Sequence, residues 1–213
     1  MDETHWAAVE HERLTLADLL DGLTPQQWEA KSLCAKWRVK DVAAHVAMTP
    51  TAPSVPTVLA ALARTGGNLW AAGAAIAIDH ARRPSEQIVH ELRRDAAART
   101  MPTFTNPENL LLDVLVHGQD IAIPLGIDRP MPTAAARDGF ERVWEMGWPF
   151  WARKRMRGIR LIATDARVDV GDGSPLQGRL ADLLLLITGR TETALARLRG
   201  EGVILLSTDR RAP

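Results

Sequence analysis

The stretch "NPENLLLDVLVHGQDIAIPLG", residues 106–126, constrains this chain more than any other. Asn106 fits a helix N-cap and Pro107 the first helical position, while Pro124 and Gly126 supply a stop, so the pattern predicts a helix to about Ile123. Leu111, Leu112, Val114, Leu115 and Val116 make that helix apolar on nearly every side, which requires neighbours all round it. Polar side chains interrupt this surface. Asp113 and His117 stand four apart and project from one face, and Asp120 follows three residues later near the same stripe. A carboxylate without a partner is costly in a core, so Asp113 demands one. A divalent metal shared with His117 would serve, and so would a plain Asp–His hydrogen bond.

His45 raises the same question on a second predicted helix, "RVKDVAAHVAMT", which ends before Pro50. It lies among Val42, Ala43, Ala44 and Val46. Alone it reads as a satisfied core histidine. With Asp113 and His117 it makes two imidazoles and one carboxylate from two helices, leaving a fourth position for water, thiol or substrate. That is the layout of catalytic zinc sites, since structural ones are closed. The donor set suits zinc or nickel. His5, His11, His80 and His90 sit among charged residues and are expected at the surface.

The rest of the first two-thirds also reads as helices. Thr4 is a candidate cap for the first, which carries Leu16, Leu19, Leu20 and Leu23 as an apolar stripe and Gly22 near its end. Thr24 and Pro25 open a short helical turn, and "SLCAKW" is a connector. Residues 50–56 carry three prolines and are expected as loop or extended chain. An Ala-rich helical stretch follows, broken at Gly66-Gly67. Further helices are expected from Pro84 to about Arg99 and over 133–157, the latter interrupted near Gly147 and Pro149, with "MPTFTNP" as a loop between them and the helix after Asn106. After Gly158 the texture changes. "IRLIAT" and "RVDVG" read as strands, "GDGSP" as a turn, "LQGRLADLLLLITGR" as a buried helix and "GVILLS" as a closing strand in one sheet with "IRLIAT". The expected organisation is a helical bundle over 1–157 and a small α/β region over 158–213, mainly α overall.

Composition narrows the function. Lys and Arg together number 26, and so do Asp and Glu, so neither nucleic acid nor an anionic membrane is expected as the main partner. No apolar run approaches the roughly 20 residues of a membrane span. The acidic opening "MDETHWAAVEHERL" lacks the flank and core of a secretory signal. The single cysteine, Cys34, cannot form an internal disulfide, which fits a reducing compartment. A cytoplasmic location is therefore expected.

Taken together, these motifs resemble the mycothiol-dependent maleylpyruvate isomerase family, part of the wider group of DinB-like metal-binding bundles. "SLCAKWRVKDVAAHV" resembles that family's second-helix signature through Ser32, Cys34, Trp37, Val39, Asp41, Val42 and His45. "DVLVHGQDIAIPLG" resembles its second metal helix, and the segment from "IRLIATDARVDVGDG" through "LQGRLADLLLLITGR" its C-terminal region. The resemblance implies a four-helix bundle holding one divalent metal, usually zinc, through His45, Asp113 and His117. It also implies mycothiol or a similar thiol as cosubstrate, used for isomerisation of a small electrophile or for S-transfer to one. A bundle that keeps the metal or ligand without the reaction is the competing reading. The family's isomerase carries Glu at the carboxylate position. Asp113 is one methylene shorter, so the helices must approach more closely or the metal must shift.

Around that core, Asp120 is a candidate to hold a ligand imidazole or bind the cosubstrate, against a local ion pair at a helix end. Arg190 could bind a substrate carboxylate, against a cation capping a helix C-terminus. Cys34, between Leu33 and Trp37, reads as packing, as do Trp28 and Trp37. Trp144, Trp148 and Trp151 recur at helical spacing and read as core or a domain seam. Bundles of this type often pair, so a homodimer is admitted.

Overall fold

The computed structural model describes residues 2–51, 53–101 and 105–209. In order these form α1 (Glu3–Asp21), α2 (Pro25–Trp28), α3 (Val39–Met48), α4 (Val55–Arg64), α5 (Leu69–His80), α6 (Ser85–Arg94), α7 (Pro107–Ala122), α8 (Thr133–Glu145), α9 (Ala152–Arg155), β1 (Ile159–Ala163), β2 (Asp169–Gly171), β3 (Ser174–Gly178), α10 (Leu180–Ile187), α11 (Thr191–Leu195) and α12 (Glu201–Asp209). Part of the expected "MPTFTNP" loop, residues 102–104, lies outside the described residues. Among the described residues, no helix is long and apolar enough to cross a membrane.

Capping chemistry sets most helix starts. Asp2, not Thr4, caps α1, its carboxylate accepting the His5 N–H at 3.0 Å. Thr24 and Gln27 form a reciprocal capping box on α2. Ser54 caps α4 with Pro56 in its first turn, so the proline-rich segment yields to helix at Val55. Asn106 accepts from the Asn109 N–H at 3.1 Å and starts α7 as its sequence requires. The helix opened by Pro84 ends at Arg94, well short of Arg99.

The chain divides between Arg129 and Pro130 into two compact units. This falls ahead of the junction expected near residue 157, because α8, assigned to the bundle, packs against α10. In the first unit α1 packs against α6 and α7, and α3 packs against the same two, closing a ring of four helices. α5 lies against α3, and α4 against α5. Alanines at 43, 44 and 47 are fully or almost fully buried within this packing. Gly118 on α7 gives Arg129 room to cross: a Cβ there would meet the Arg129 Nε at 2.7 Å. The Arg129 guanidinium reaches the Glu12 carboxylate at 2.8 Å and Thr15 Oγ1 at 3.1 Å.

In the second unit the sheet order is β2-β1-β3, with β1 antiparallel to β2 and parallel to β3. "IRLIAT" and "RVDVG" supply strands as expected. "GVILLS" does not: it is part of α12, and the third strand comes instead from "SPLQG", read as turn and helix start. Just ahead of that segment, Arg199 makes an isolated antiparallel bridge to Gln177. Gly200, at φ +114°, then turns the chain into α12 while passing so close to the Pro175 carbonyl that no Cβ would fit. An apolar run this short satisfies either period, and here Ile204 and Leu205 stay exposed. Trp144 stacks on Phe140, whereas Trp148 and Trp151 are exposed rather than core.

Arg13 is the largest fully buried side chain. Its Nη1 donates to the carbonyls of Asp95, Ala96 and Ala98 at 3.3, 3.1 and 2.9 Å, just beyond the C-terminal end of α6. A guanidinium there binds carbonyls of the turn that follows the helix, where the Asp95 carbonyl also accepts the Ala98 N–H. Replacing it takes a donor from this buried turn and opens a cavity. Arg13→Ala is expected to destabilise the chain by about 3 kcal/mol, read as a lower urea midpoint at unchanged slope.

Candidate metal centre

α3 and α7 are buried on almost every side. On α7, residues Leu110–Leu112, Val114–Val116 and Gly118–Ala122 are buried, and on α3, Val39, Asp41–Ala44, Val46 and Ala47. Asp113, His117 and His45 depart from this pattern: each is half-buried and reaches solvent from within an apolar frame. Where α3 packs on α7, the three side chains meet.

His45 Nε2 lies 3.3 Å from Asp113 Oδ1, and His117 Nε2 lies 3.4 Å from the same oxygen. One ligand atom from each residue falls within 4.8 Å of the other two. The imidazole centroids are 4.9 Å apart at 80° to each other. The His45 contact is a hydrogen bond at the long end of the range, which centres near 2.9–3.0 Å. The two separations match the edge of a tetrahedral zinc site, where bonds of about 2.0–2.1 Å put ligand atoms about 3.3–3.4 Å apart. Both edges to Asp113 Oδ1 therefore fit a divalent cation, and the donor types suit one.

A second group, Cys34, His117 and Asp120, also converges. Its spacing differs. His117 Nδ1 lies 2.8 Å from Asp120 Oδ2, and Cys34 Sγ lies 3.0 Å from that same oxygen. Both distances are too short for the edges of a tetrahedral site with Zn–N near 2.1 Å and Zn–S near 2.3 Å, which would be about 3.4 Å and 3.6 Å. This cluster is a hydrogen-bonded support. Asp120 is completely buried and accepts the Nδ1 proton of His117, which leaves Nε2 as the free donor atom on the Asp113 side.

Sequence reasoning placed Cys34 and Trp37 as packing, and both stand at the centre instead. The Trp37 ring lies 5.4 Å from that of His45 and 6.3 Å from that of His117, forming one wall. Arg190 belongs to the second unit, where its Nη1 donates to the Thr188 carbonyl at 2.8 Å, at the C-terminal end of α10. Of the histidines expected at the surface, His5 is buried with its Nε2 3.0 Å from the Pro107 carbonyl, and His80 pairs with Glu91 at 2.6 Å. His11 and His90 are exposed.

A family model described as "Mycothiol maleylpyruvate isomerase N-terminal domain" matches residues 9–122, more than half of the chain. The chain belongs to this family. No curated protein matches the sequence. Two solved structures are similar in fold. One is a crystal structure of a histidine-to-alanine mutant of the mycothiol-dependent maleylpyruvate isomerase, with 17% identity and a TM-score of 0.56. The other is a crystal structure of the mycothiol-dependent maleylpyruvate isomerase, with 19% identity and a TM-score of 0.51. Both matches cover 91% of this chain and 93% of the other. His45, Asp113, His117, Cys34 and Asp120 all lie within the family match, and Arg190 lies beyond it.

The electrostatics of this isomerase-family bundle favour a cation. Burial works against the Asp113 carboxylate, yet the charges of His45 and His117, the hydrogen bond from His45 and the charge of buried Arg13 hold its pKa down at about 2. Burial also lowers the pKa of His45, but the charge and hydrogen bond of Asp113, with the charge of Asp120, outweigh it and raise the imidazole above its ordinary 6.5. In the metal-free protein the Asp113 contribution to stability is present above pH 3.8 and is lost as pH falls toward 2. The His45 contribution is complete below pH 6.5 and is lost as pH rises through the raised value. A metal must displace the His45 proton. Zinc affinity is accordingly expected to climb about tenfold per pH unit up to the His45 pKa and then level off. Calorimetry in two buffers of different ionisation enthalpy should detect the proton released below that pKa; a flat pH profile would contradict this assignment.

Proposed function

We propose that this chain is a metal-dependent enzyme that activates a low-molecular-weight thiol, mycothiol or a close analogue, to isomerise a small electrophilic substrate. The observation that carries the reading is the half-exposed cluster of His45, Asp113 and His117, spaced for a single cation inside a bundle of the isomerase family. These three residues would hold the metal, with zinc the best match to the donors and nickel next. A bound divalent cation would stabilise a thiolate near neutral pH.

The chain's own residues do the rest. Asp120 holds the Nδ1 proton of His117, so that Nε2 keeps its lone pair. Trp37 packs its ring beside both imidazoles. Arg13 places a positive charge under Asp113 without competing for its oxygens as a ligand. In the isomerisation, the thiolate sulfur adds to one carbon of a conjugated double bond, the bond rotates, and the sulfur leaves. The thiol is regenerated and no net oxidation occurs. S-transfer would follow from the same thiolate if the substrate offered a leaving group.

Asp113 faces both imidazoles where α3 packs on α7. The test uses the zinc-loaded chain with mycothiol and a cis-configured conjugated keto acid. Turnover should require the thiol, disappear with a chelator and return with zinc. Asp113→Glu should lower it by about tenfold or more through displacement of the metal. If Glu instead raises turnover from nothing, the natural chain is a binding protein that has lost the reaction. Turnover that ignores chelation would sink the metal reading.

A further inference from the structure

The connector between α2 and α3 is built more tightly than a link between helices requires. The Ser32 N–H bonds the Trp37 carbonyl at 3.1 Å, and Ser32 Oγ donates to that carbonyl at 2.8 Å. The Cys34 N–H bonds Ser32 Oγ at 3.1 Å, and the Cys34 carbonyl accepts the Trp37 N–H at 3.0 Å. Lys36 takes a left-handed φ of 71° to close the loop, an unfavourable conformation for a residue with a side chain. A further backbone bond, from the Leu33 N–H to the Asp120 carbonyl at 3.1 Å, ties the connector to α7. Cys34 is therefore fixed at both its N–H and its carbonyl, beside the turn of α7 that carries His117 and Asp120.

From this geometry we propose that Cys34 is a positioning residue for the metal centre: its thiol donates to Asp120 Oδ2 and holds the carboxylate that fixes His117. The inference rests on the metal-binding reading above. Asp120 is completely buried, so its oxygens depend on donors from the protein. Oδ2 receives two of them, the His117 Nδ1–H at 2.8 Å and the Cys34 thiol at 3.0 Å. With the thiol removed, Oδ2 loses one of these two donors, and the carboxylate's hold on the His117 imidazole weakens. The other roles open to a cysteine here fit less well. The spacing of its cluster is too short for a metal of its own, as shown above. As a mere space-filler, its sulfur would not need to lie within hydrogen-bonding distance of a buried carboxylate.

The test separates donor from size. Zinc is titrated into the full-length chain in competition with a chromophoric chelator, comparing the natural protein with Cys34→Ala, Cys34→Val and Cys34→Ser. Val fills the space without a donor, and it also serves if the Ala variant fails to fold. Loss of the donor is expected to lower zinc affinity about tenfold, as for partners that orient metal ligands elsewhere. Ser, which keeps a hydrogen to donate, is expected to recover most of that loss. Natural affinity in the Val or Ala variant overturns the proposal. So does a Ser variant as weak as Ala, because that outcome assigns the effect to packing. A second measurement stands apart from metal binding: imidazole nitrogen shifts in the zinc-free protein. His117 should be an Nδ1–H tautomer in the natural chain and shift toward Nε2–H in Cys34→Ala. An unchanged tautomer rejects the role of Cys34 even if no variant binds zinc, whereas failure of the natural chain to bind zinc rejects only the metal reading.

Discussion

One oxygen organises the first unit. Asp113 Oδ1 faces the imidazoles of both His45 and His117, and it does so from a helix whose other side chains are almost all buried. A carboxylate in that setting is tolerable only with compensating positive charge. The surrounding structure provides it from two directions, imidazoles from α3 and α7 on the solvent side and the Arg13 guanidinium from α1 within the ring. Arg13 is in turn anchored by carbonyls beyond the end of α6. All four helices of the ring thus contribute to the environment of a single side chain. The site is part of what sets the packing of the bundle.

Much of this could be read from residues alone, and the reasons are specific. The α7 pattern is long, strongly apolar and bracketed by Asn106-Pro107 and Pro124, so its ends and its intruding Asp113 and His117 stood out. His45 was visible for the same reason. Arg13 was overlooked, although Val9, Arg13, Leu16 and Leu20 fall on one stripe, where a cation among apolar positions is itself a signal. The role of Cys34 is not legible in the sequence, because local sequence describes only its neighbours in the chain. Its partner, Asp120, is more than eighty residues away. Contacts of that range depend on how α7 lies against the connector, and periodicity carries no such information.

The second unit shows the opposite limit. β1 and β2 were legible as short aliphatic runs between turns, but "SPLQG" has little strand character. It becomes β3 through parallel pairing with β1. "GVILLS" has abundant strand character and is helical, because Gly200 turns the chain out of the sheet after one bridge. Tertiary context outweighed propensity in both cases. The likeness of fold to the two isomerase structures extends over nearly the whole chain, beyond the family match at residues 9–122.

The buried alanines of α3 carry an evolutionary consequence. With Ala43, Ala44 and Ala47 packed to nothing or nearly nothing exposed, α3 has no room beside them for a larger side chain unless the helix shifts. A carboxylate one methylene shorter faces both imidazoles at this spacing. Ligand length and helix spacing become a single heritable character. A lineage that enlarges one of these alanines must lengthen the carboxylate to keep its reach, and a lineage that lengthens the carboxylate first gains from a larger residue on α3. The two changes should appear together across the family, although the side chains need never touch.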